Sequence, residues 1–290
     1  MGRSIMEEKR PSWLKVKVRI GEDFQKVEKI LKKWKLNTIC REALCPNIGE
    51  CFNQRTATFL ILGDNCTRNC SFCGVKKGKP LPPDPEEPER LARAVSEMGL
   101  NHVVITSVTR DDLPDGGASN FAHTIREVKK RNPFSIVEVL IPDLKGSEEA
   151  LITILDSSPN ILGHNLETVP RLYNKVRRGA NYVRSLELLK MAKQFSPSLI
   201  TKSGLMLGLG ERKEEILQVM DDLQICGCNL LTLGQYLPPS SRSYPVKHYY
   251  SPQEFEHFFE EGIERGFKWV ESAPLVRSSY HAKRQWENIC

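Results

Sequence analysis

Six of the nine cysteines fall between Cys40 and Cys73. They make two groups of three: C-x4-C-x5-C at Cys40, Cys45 and Cys51, and C-x3-C-x2-C at Cys66, Cys70 and Cys73. In a short secreted chain this density would read as a disulfide framework. Here the chain has 290 residues, and its first residues, MGRSIMEEKRPSW, carry charge where a secretory signal needs an apolar core. We therefore expect a cytoplasmic protein with reduced thiols, and reduced thiols in a cluster point to metal ligation. Structural zinc takes four ligands, often from paired C-x2-C knuckles. Neither group holds a fourth cysteine or a histidine within reach. Three soft thiolates suit a [4Fe–4S] cluster with one iron left open.

An open iron accepts a chelating ligand. Adjacent amine and carboxylate groups, such as those on the methionine part of S-adenosylmethionine, can fill that position. An electron delivered through the cluster could then cleave the sulfonium and release a carbon radical. The cofactor supplies the difficult chemistry, while the protein supplies position, electrostatics and water exclusion.

Such a centre needs a scaffold. Residues 22–36 place Phe24, Val27, Ile30, Leu31 and Trp34 on one helical face. From residue 58 onward, apolar strand runs alternate with amphipathic helices. Strands are expected at 58–62, 102–108, 136–141, 161–165, 203–207, 230–235 and 267–271. Helices are expected at 88–99, 120–131, 147–155, 182–195, 213–225 and 253–264. This repetition implies parallel strands, an α/β fold and a partial parallel (β/α)6-type barrel. Chemistry in such barrels sits where the strands run out. The first strand runs into the Cys66–Cys70–Cys73 loop. The others run into polar residues that include Asp111, Asp143, His164, Asn165, Glu167, Glu211, Gln235 and Ser279. Three segments follow: 1–55 as an N-terminal extension with the first triad, 56–274 as the barrel, and 275–290 as a C-terminal extension.

Composition narrows the class. Hydrophobic residues make up 40% and charged residues 27%, ordinary for a folded globular chain. No apolar run is long enough to cross a membrane as a helix. The net charge of +6 lies in residues 1–55, where 13 Lys/Arg face 7 Asp/Glu. Residues 56–290 balance 29 against 29. The basic arm suits docking to an acidic partner, or is a solvated face. A nucleic-acid enzyme would carry its basic excess across the binding face, so no nucleic acid is expected.

The C-x3-C-x2-C loop after a first barrel strand, with Phe72 before Cys73, resembles the radical S-adenosylmethionine superfamily. The added C-x4-C-x5-C, the runs TSVTRDDLPDGGA and HNLETV, and the terminal RSSY are similar to the lipoyl synthases. The resemblance runs from Trp13 to the RSSYHA segment. It implies two [4Fe–4S] clusters and S-adenosylmethionine as cofactors. Cys66, Cys70 and Cys73 would hold the cluster that cleaves S-adenosylmethionine. Cys40, Cys45 and Cys51 would hold an auxiliary cluster, with Ser279 (or its rival Ser278) as fourth ligand. That cluster would be consumed as the sulfur source. The product would be a lipoyl group, made by sulfur insertion at C6 and C8 of an octanoyl-lysine. The substrate would be a lipoyl carrier: a lipoyl domain of a 2-oxoacid dehydrogenase or the glycine cleavage H protein. A ferredoxin or flavodoxin would serve as reductant.

Glu138, Asn165, Glu167 and Arg177 are further candidates to contact S-adenosylmethionine or order its pocket, although Arg177 would equally suit a structural salt bridge. His102 and His123 are expected to be ordinary histidines, and Cys226, Cys228 and Cys290 plain thiols. If the arm docks the carrier, Lys15, Lys17 and Arg19 are its candidate contacts. Two rivals stand beside this reading: a radical enzyme with another sulfur acceptor, such as an RNA methylthiotransferase, and a non-enzymatic zinc module.

Overall fold

The structure is a computed structural model that describes residues 10–16 and 20–289. Lys17, Arg19 and Cys290 lie outside the described residues.

Ten strands occur among the described residues: β1 (Asn37–Thr38), β2 (Thr58–Ile61), β3 (Asn65–Cys66), β4 (Lys76–Lys77), β5 (His102–Ser107), β6 (Ile136–Leu140), β7 (Ile161–Gly163), β8 (Ile200–Leu207), β9 (Leu230–Gln235) and β10 (Trp269–Ser272). The helices are α1 (Glu22–Lys33), α2 (Ile39–Glu42), α3 (Ile48–Asn53), α4 (Glu87–Met98), α5 (Ala118–Arg131), α6 (Glu148–Leu155), α7 (Tyr173–Val176), α8 (Tyr182–Phe195), α9 (Lys213–Ile225), α10 (Pro252–Glu264) and α11 (Ala282–Glu287).

Seven strands, β2-β5-β6-β7-β8-β9-β10, pair in parallel and in sequence order. A crossover containing helix joins each to the next, as parallel pairing requires. The two-residue β1 runs antiparallel on the outer edge of β2. The sheet is therefore an open, partial barrel. The strands are buried on both faces: every residue of β2 is buried, as is every residue of β9. That is the pattern of strands packed between a barrel interior and a helical layer. The helices are stopped and started by local chemistry. Gly99 closes α4 in the left-handed conformation, and the Ser251/Glu254 capping box opens α10.

Boundaries differ from the sequence reading for physical reasons. Strand β2 ends before Leu62 and α1 ends before Lys35, because both residues turn left-handed, at φ 68° and 51°. Strand β8 starts at Ile200 because its polar Thr201, Lys202 and Ser203 are all buried. Lys202 Nζ meets Glu138 Oε1 at 2.8 Å, and the other Glu138 oxygen meets His102 Nε2 at 3.1 Å. The His102 side chain is thus buried on β5, and this hydrogen-bonded trio joins three strands.

The N-terminal segment shares the barrel's hydrophobic core. Phe24, Val27 and Leu31 of α1 are buried, and the Phe24 and Phe52 rings stand 5.2 Å apart. Packing α1 on α3 sets the two short helices that carry Cys40 and Cys51 against the barrel edge.

Candidate active site: two cysteine triads around one chamber

The loop after β2 is held from both sides. Arg68, between Cys66 and Cys70, binds Asp111 through two hydrogen bonds, of 2.7 and 2.9 Å. It also donates to Asp143 at 2.6 Å, and Arg184 donates to the other Asp143 oxygen at 2.7 Å. Burial would raise the Asp143 carboxyl, but the two guanidiniums outweigh it and hold it well below the usual carboxylate range. Ser71 anchors the far side of the loop, its hydroxyl donating to the Lys175 carbonyl at 2.8 Å. The loop is therefore rigid where three thiols must keep a fixed spacing. The Arg68 N–H also donates to Cys66 Sγ at 3.4 Å.

The second triad is shaped by short helices. Cys40 lies in α2 and Cys51 in α3. Between them the Cys45 N–H returns to the Cys40 carbonyl at 3.0 Å. The C-terminal segment then closes over this triad. Asn47 Nδ2 donates to the Leu275 carbonyl at 2.7 Å. Glu50 accepts from the Tyr280 hydroxyl at 2.9 Å and lies 3.2 Å from His281 Nε2. The segment passes so close to β9 that any β-carbon on Gly234 would fall on the Val276 carbonyl oxygen.

These pieces enclose one chamber of about 340 Å³. All six triad cysteines line it, with Phe72, Asn165, Glu167, Arg177, Ser278 and Ser279. Asn165 donates from Nδ2 to Glu167 Oε1 at 3.1 Å and to Ser278 Oγ at 2.5 Å. No hydrogen bond engages the Ser279 hydroxyl among the described residues. Burial raises the Glu167 carboxyl, against the opposing pull of Arg177 and Asn165. Arg177 makes no ion pair among the described residues. It donates instead to the Tyr173 and Ser185 hydroxyls, at 3.1 and 3.2 Å. The structural salt bridge open to it on sequence is therefore not what it forms.

Glu138 requires a correction. It does not line the chamber, because its carboxylate is committed to Lys202 and His102. Burial opposes its ionisation, but Lys202 and His102 outweigh that and keep it well below the ordinary range. Asn47, Glu50, Gly234 and Arg68 frame the chamber and are not singled out by the sequence reading. Their one signal was proximity: Arg68 lies inside CTRNC and Glu50 beside Cys51.

The donor set fits iron–sulfur clusters. All six thiols are free and soft, and each triad leaves one corner of a four-iron cluster open. A site for one zinc ion needs its sulfur donors within about 2.3 Å of a common point. Among the described residues no three His, Cys, Asp or Glu side chains are gathered as a site for a single metal ion. Burial pushes the Cys40 and Cys70 thiols up to about 11 and those of Cys51 and Cys73 up to about 12. Loading metal must therefore displace protons. Arg177 pulls the other way on Cys70, and Arg277 on Cys45. Cys226 and Cys228 are buried and line no part of the chamber.

The family model of the radical SAM superfamily matches residues 60–223. The N-terminal domain of lipoyl synthase of the radical SAM family matches residues 3–45. Solved structures share the fold: methylornithine synthase at TM-score 0.55 and 15% identity, over 83% of this chain and 69% of that one. HydG, a maturase of the [FeFe]-hydrogenase, aligns at TM-score 0.56 and 16% identity, over 86% of this chain and 66% of its own. An open parallel barrel with a three-cysteine loop after its first long strand is thus the radical SAM class of enzyme. Within it, the lipoyl synthase of Alkaliphilus metalliredigens is 53% identical, over 96% of both chains. That of Caldanaerobacter subterraneus is 55% identical, over 96% of this chain and 97% of its own. This chain belongs to the lipoyl synthase family.

Proposed function

We propose that the chamber receives the octanoyl-lysine arm of a lipoyl carrier protein and converts it to the lipoyl group by sulfur insertion at C6 and C8. The observation that carries this reading is that both cysteine triads and Ser279 wall a single chamber. A methylene hydrogen on a saturated chain is not acidic, so no general base could activate it. When bound, a cluster on Cys66, Cys70 and Cys73 together with S-adenosylmethionine supplies the radical chemistry. The second cluster, on Cys40, Cys45, Cys51 and Ser279, is the sulfur-donating substrate.

The chain's own residues position and enclose. Arg68 and Ser71 hold the first triad in register. Phe72, Asn165, Glu167 and Arg177 shape the cofactor pocket, and the unpaired Arg177 guanidinium suits a carboxylate. Val108, Leu140, Ile141 and Leu205 offer the saturated chain an apolar wall. Asn165 occupies Ser278 and leaves the Ser279 hydroxyl free to ligate. A serine oxygen is harder than thiolate, so an iron held by Ser279 would be the labile corner of that cluster. In this division residues 1–55 and 275–290 jointly hold the sulfur donor, and 56–274 hold the radical machinery. The carriers are the lipoyl domains of 2-oxoacid dehydrogenases and the glycine cleavage H protein. The reductant is a ferredoxin or flavodoxin, the setting is cytoplasmic, and neither nucleic acid nor membrane takes part.

The test is one anaerobic turnover with reconstituted protein, S-adenosylmethionine, a strong reductant and an octanoyl-lysyl peptide, read by mass spectrometry. Gain of two sulfurs with release of 5′-deoxyadenosine is expected. Release of neither, from protein shown to carry both clusters, would overturn the reading.

A further inference from the structure

Behind Arg177 lies a chain of hydrogen bonds whose directions are forced. His164 Nδ1 stands 2.8 Å from the Ile141 carbonyl oxygen. A carbonyl only accepts, so Nδ1 carries the proton. His164 is fully buried, and burial together with the nearby Arg177 charge holds it neutral, with its value down to about 3. The neutral ring therefore presents a bare Nε2, 3.0 Å from Ser185 Oγ. Ser185 must spend its single proton on that nitrogen. Its lone pairs are left to accept from Arg177 Nη1 at 3.2 Å. Tyr173 is constrained in the same way: its hydroxyl donates to the Leu166 carbonyl at 2.8 Å, so it too accepts from Arg177 Nη1, at 3.1 Å. Both Nη1 hydrogens are thereby used. Among the described residues no protein group takes Nη2 or Nε, and Arg177 lines the chamber.

We infer that His164 and Ser185 are positioning residues for the reaction. Through fixed hydrogen-bond polarity they lock one edge of the Arg177 guanidinium to the barrel wall, and so present its Nη2/Nε edge to the carboxylate of the S-adenosylmethionine methionyl group. This rests on the reading of Arg177 as a cofactor contact. An arginine fork binds a carboxylate through two parallel bonds only when its plane is set. Without Ser185, Nη1 would keep only Tyr173, and the plane could rotate.

The test is equilibrium binding to the anaerobically reconstituted holoenzyme, with two ligands. S-Adenosylmethionine carries the carboxylate, and 5′-methylthioadenosine lacks the amino-acid portion. Ser185→Ala is expected to weaken S-adenosylmethionine about tenfold, the scale of one hydrogen bond to a charged group. It should leave 5′-methylthioadenosine unchanged within about twofold. His164→Gln, whose amide oxygen can stand where Nε2 stood, is expected to keep more affinity than His164→Asn, which cannot reach Ser185. Equal weakening of both ligands by Ser185→Ala would mean simple loss of packing and overturn the proposal. So would equal affinities for the two His164 variants. If Arg177→Gln weakens S-adenosylmethionine and Ser185→Ala does not, the relay fails while the Arg177 contact stands. If Arg177→Gln binds S-adenosylmethionine normally, the contact itself falls, and the relay with it.

Discussion

Asn165 Nδ2 donates to Ser278 Oγ at 2.5 Å, joining two residues 113 positions apart. One stands just past β7 on the barrel rim, and the other in the C-terminal RSSY run. This bond sorts two adjacent serines that are chemically identical. Both line the chamber, but Ser278 Oγ accepts this bond while no hydrogen bond engages the Ser279 hydroxyl among the described residues.

The two serines should therefore separate by mutation. Ser279→Ala is expected to lower the iron content of the auxiliary site and to abolish sulfur insertion. Ser278→Ala should keep the iron of both sites and lose about 1 kcal/mol of segment docking, the net worth of one hydrogen bond. Iron analysis and single-turnover mass spectrometry on the two variants check this. Normal sulfur insertion by Ser279→Ala would remove it as a ligand.

Gly234 is required by close approach. Gly234→Ala places a methyl group on the Val276 carbonyl, and backbone cannot yield as a flexible side chain does. Overpacking of this kind costs about 1–3 kcal/mol. Alternatively the variant keeps its barrel and releases residues 275–290. Limited proteolysis distinguishes the variant from the parent: faster cleavage near residue 275 with a preserved barrel fragment is the expected pattern.

The Glu138–Lys202 pair should be costly to break and tolerant of joint replacement. Lys202→Met leaves a buried carboxylate with His102 alone and should cost about 3–5 kcal/mol in urea unfolding. Adding Glu138→Gln removes the stranded charge and should recover most of that loss. A double variant as unstable as the single one would show that His102 and packing, not charge, dominate the site.

Acid should loosen the cysteine loop through Asp143. Its folded-state value is depressed below the ordinary 3.8 by Arg68 and Arg184 acting against burial. The stability it supplies is complete above 3.8 and is lost as pH falls through that value toward the lower folded one. Asp143→Asn lacks this dependence. The difference in unfolding midpoint between parent and variant is expected to hold from neutrality down and to shrink below about pH 4. A constant difference to lower pH would assign the stabilisation to another carboxylate.

Much of this protein is decided by local pattern. Two cysteine triads and their spacing determine the metal chemistry, because ligand number and softness are properties of residue type. Seven apolar runs alternating with amphipathic helices determine a parallel sheet, because such strands cannot be joined by tight turns. Which groups face one another is decided only in three dimensions. Glu138 reads as a cofactor-pocket candidate in the sequence, yet folding sets it against Lys202, 64 positions away, and uses up its charge. Arg177 suits a structural salt bridge in the sequence, yet it is buried and makes no ion pair among the described residues. The two triads lie close together in sequence, but the chamber between them exists only because Asn47, Glu50 and Gly234 admit the C-terminal segment. The Asn47 and Glu50 contacts span more than two hundred residues, and no local periodicity encodes a hydrogen bond between Glu50 and Tyr280. Residue type sets what each group can do, and the tertiary fold sets which partner it has left to do it with.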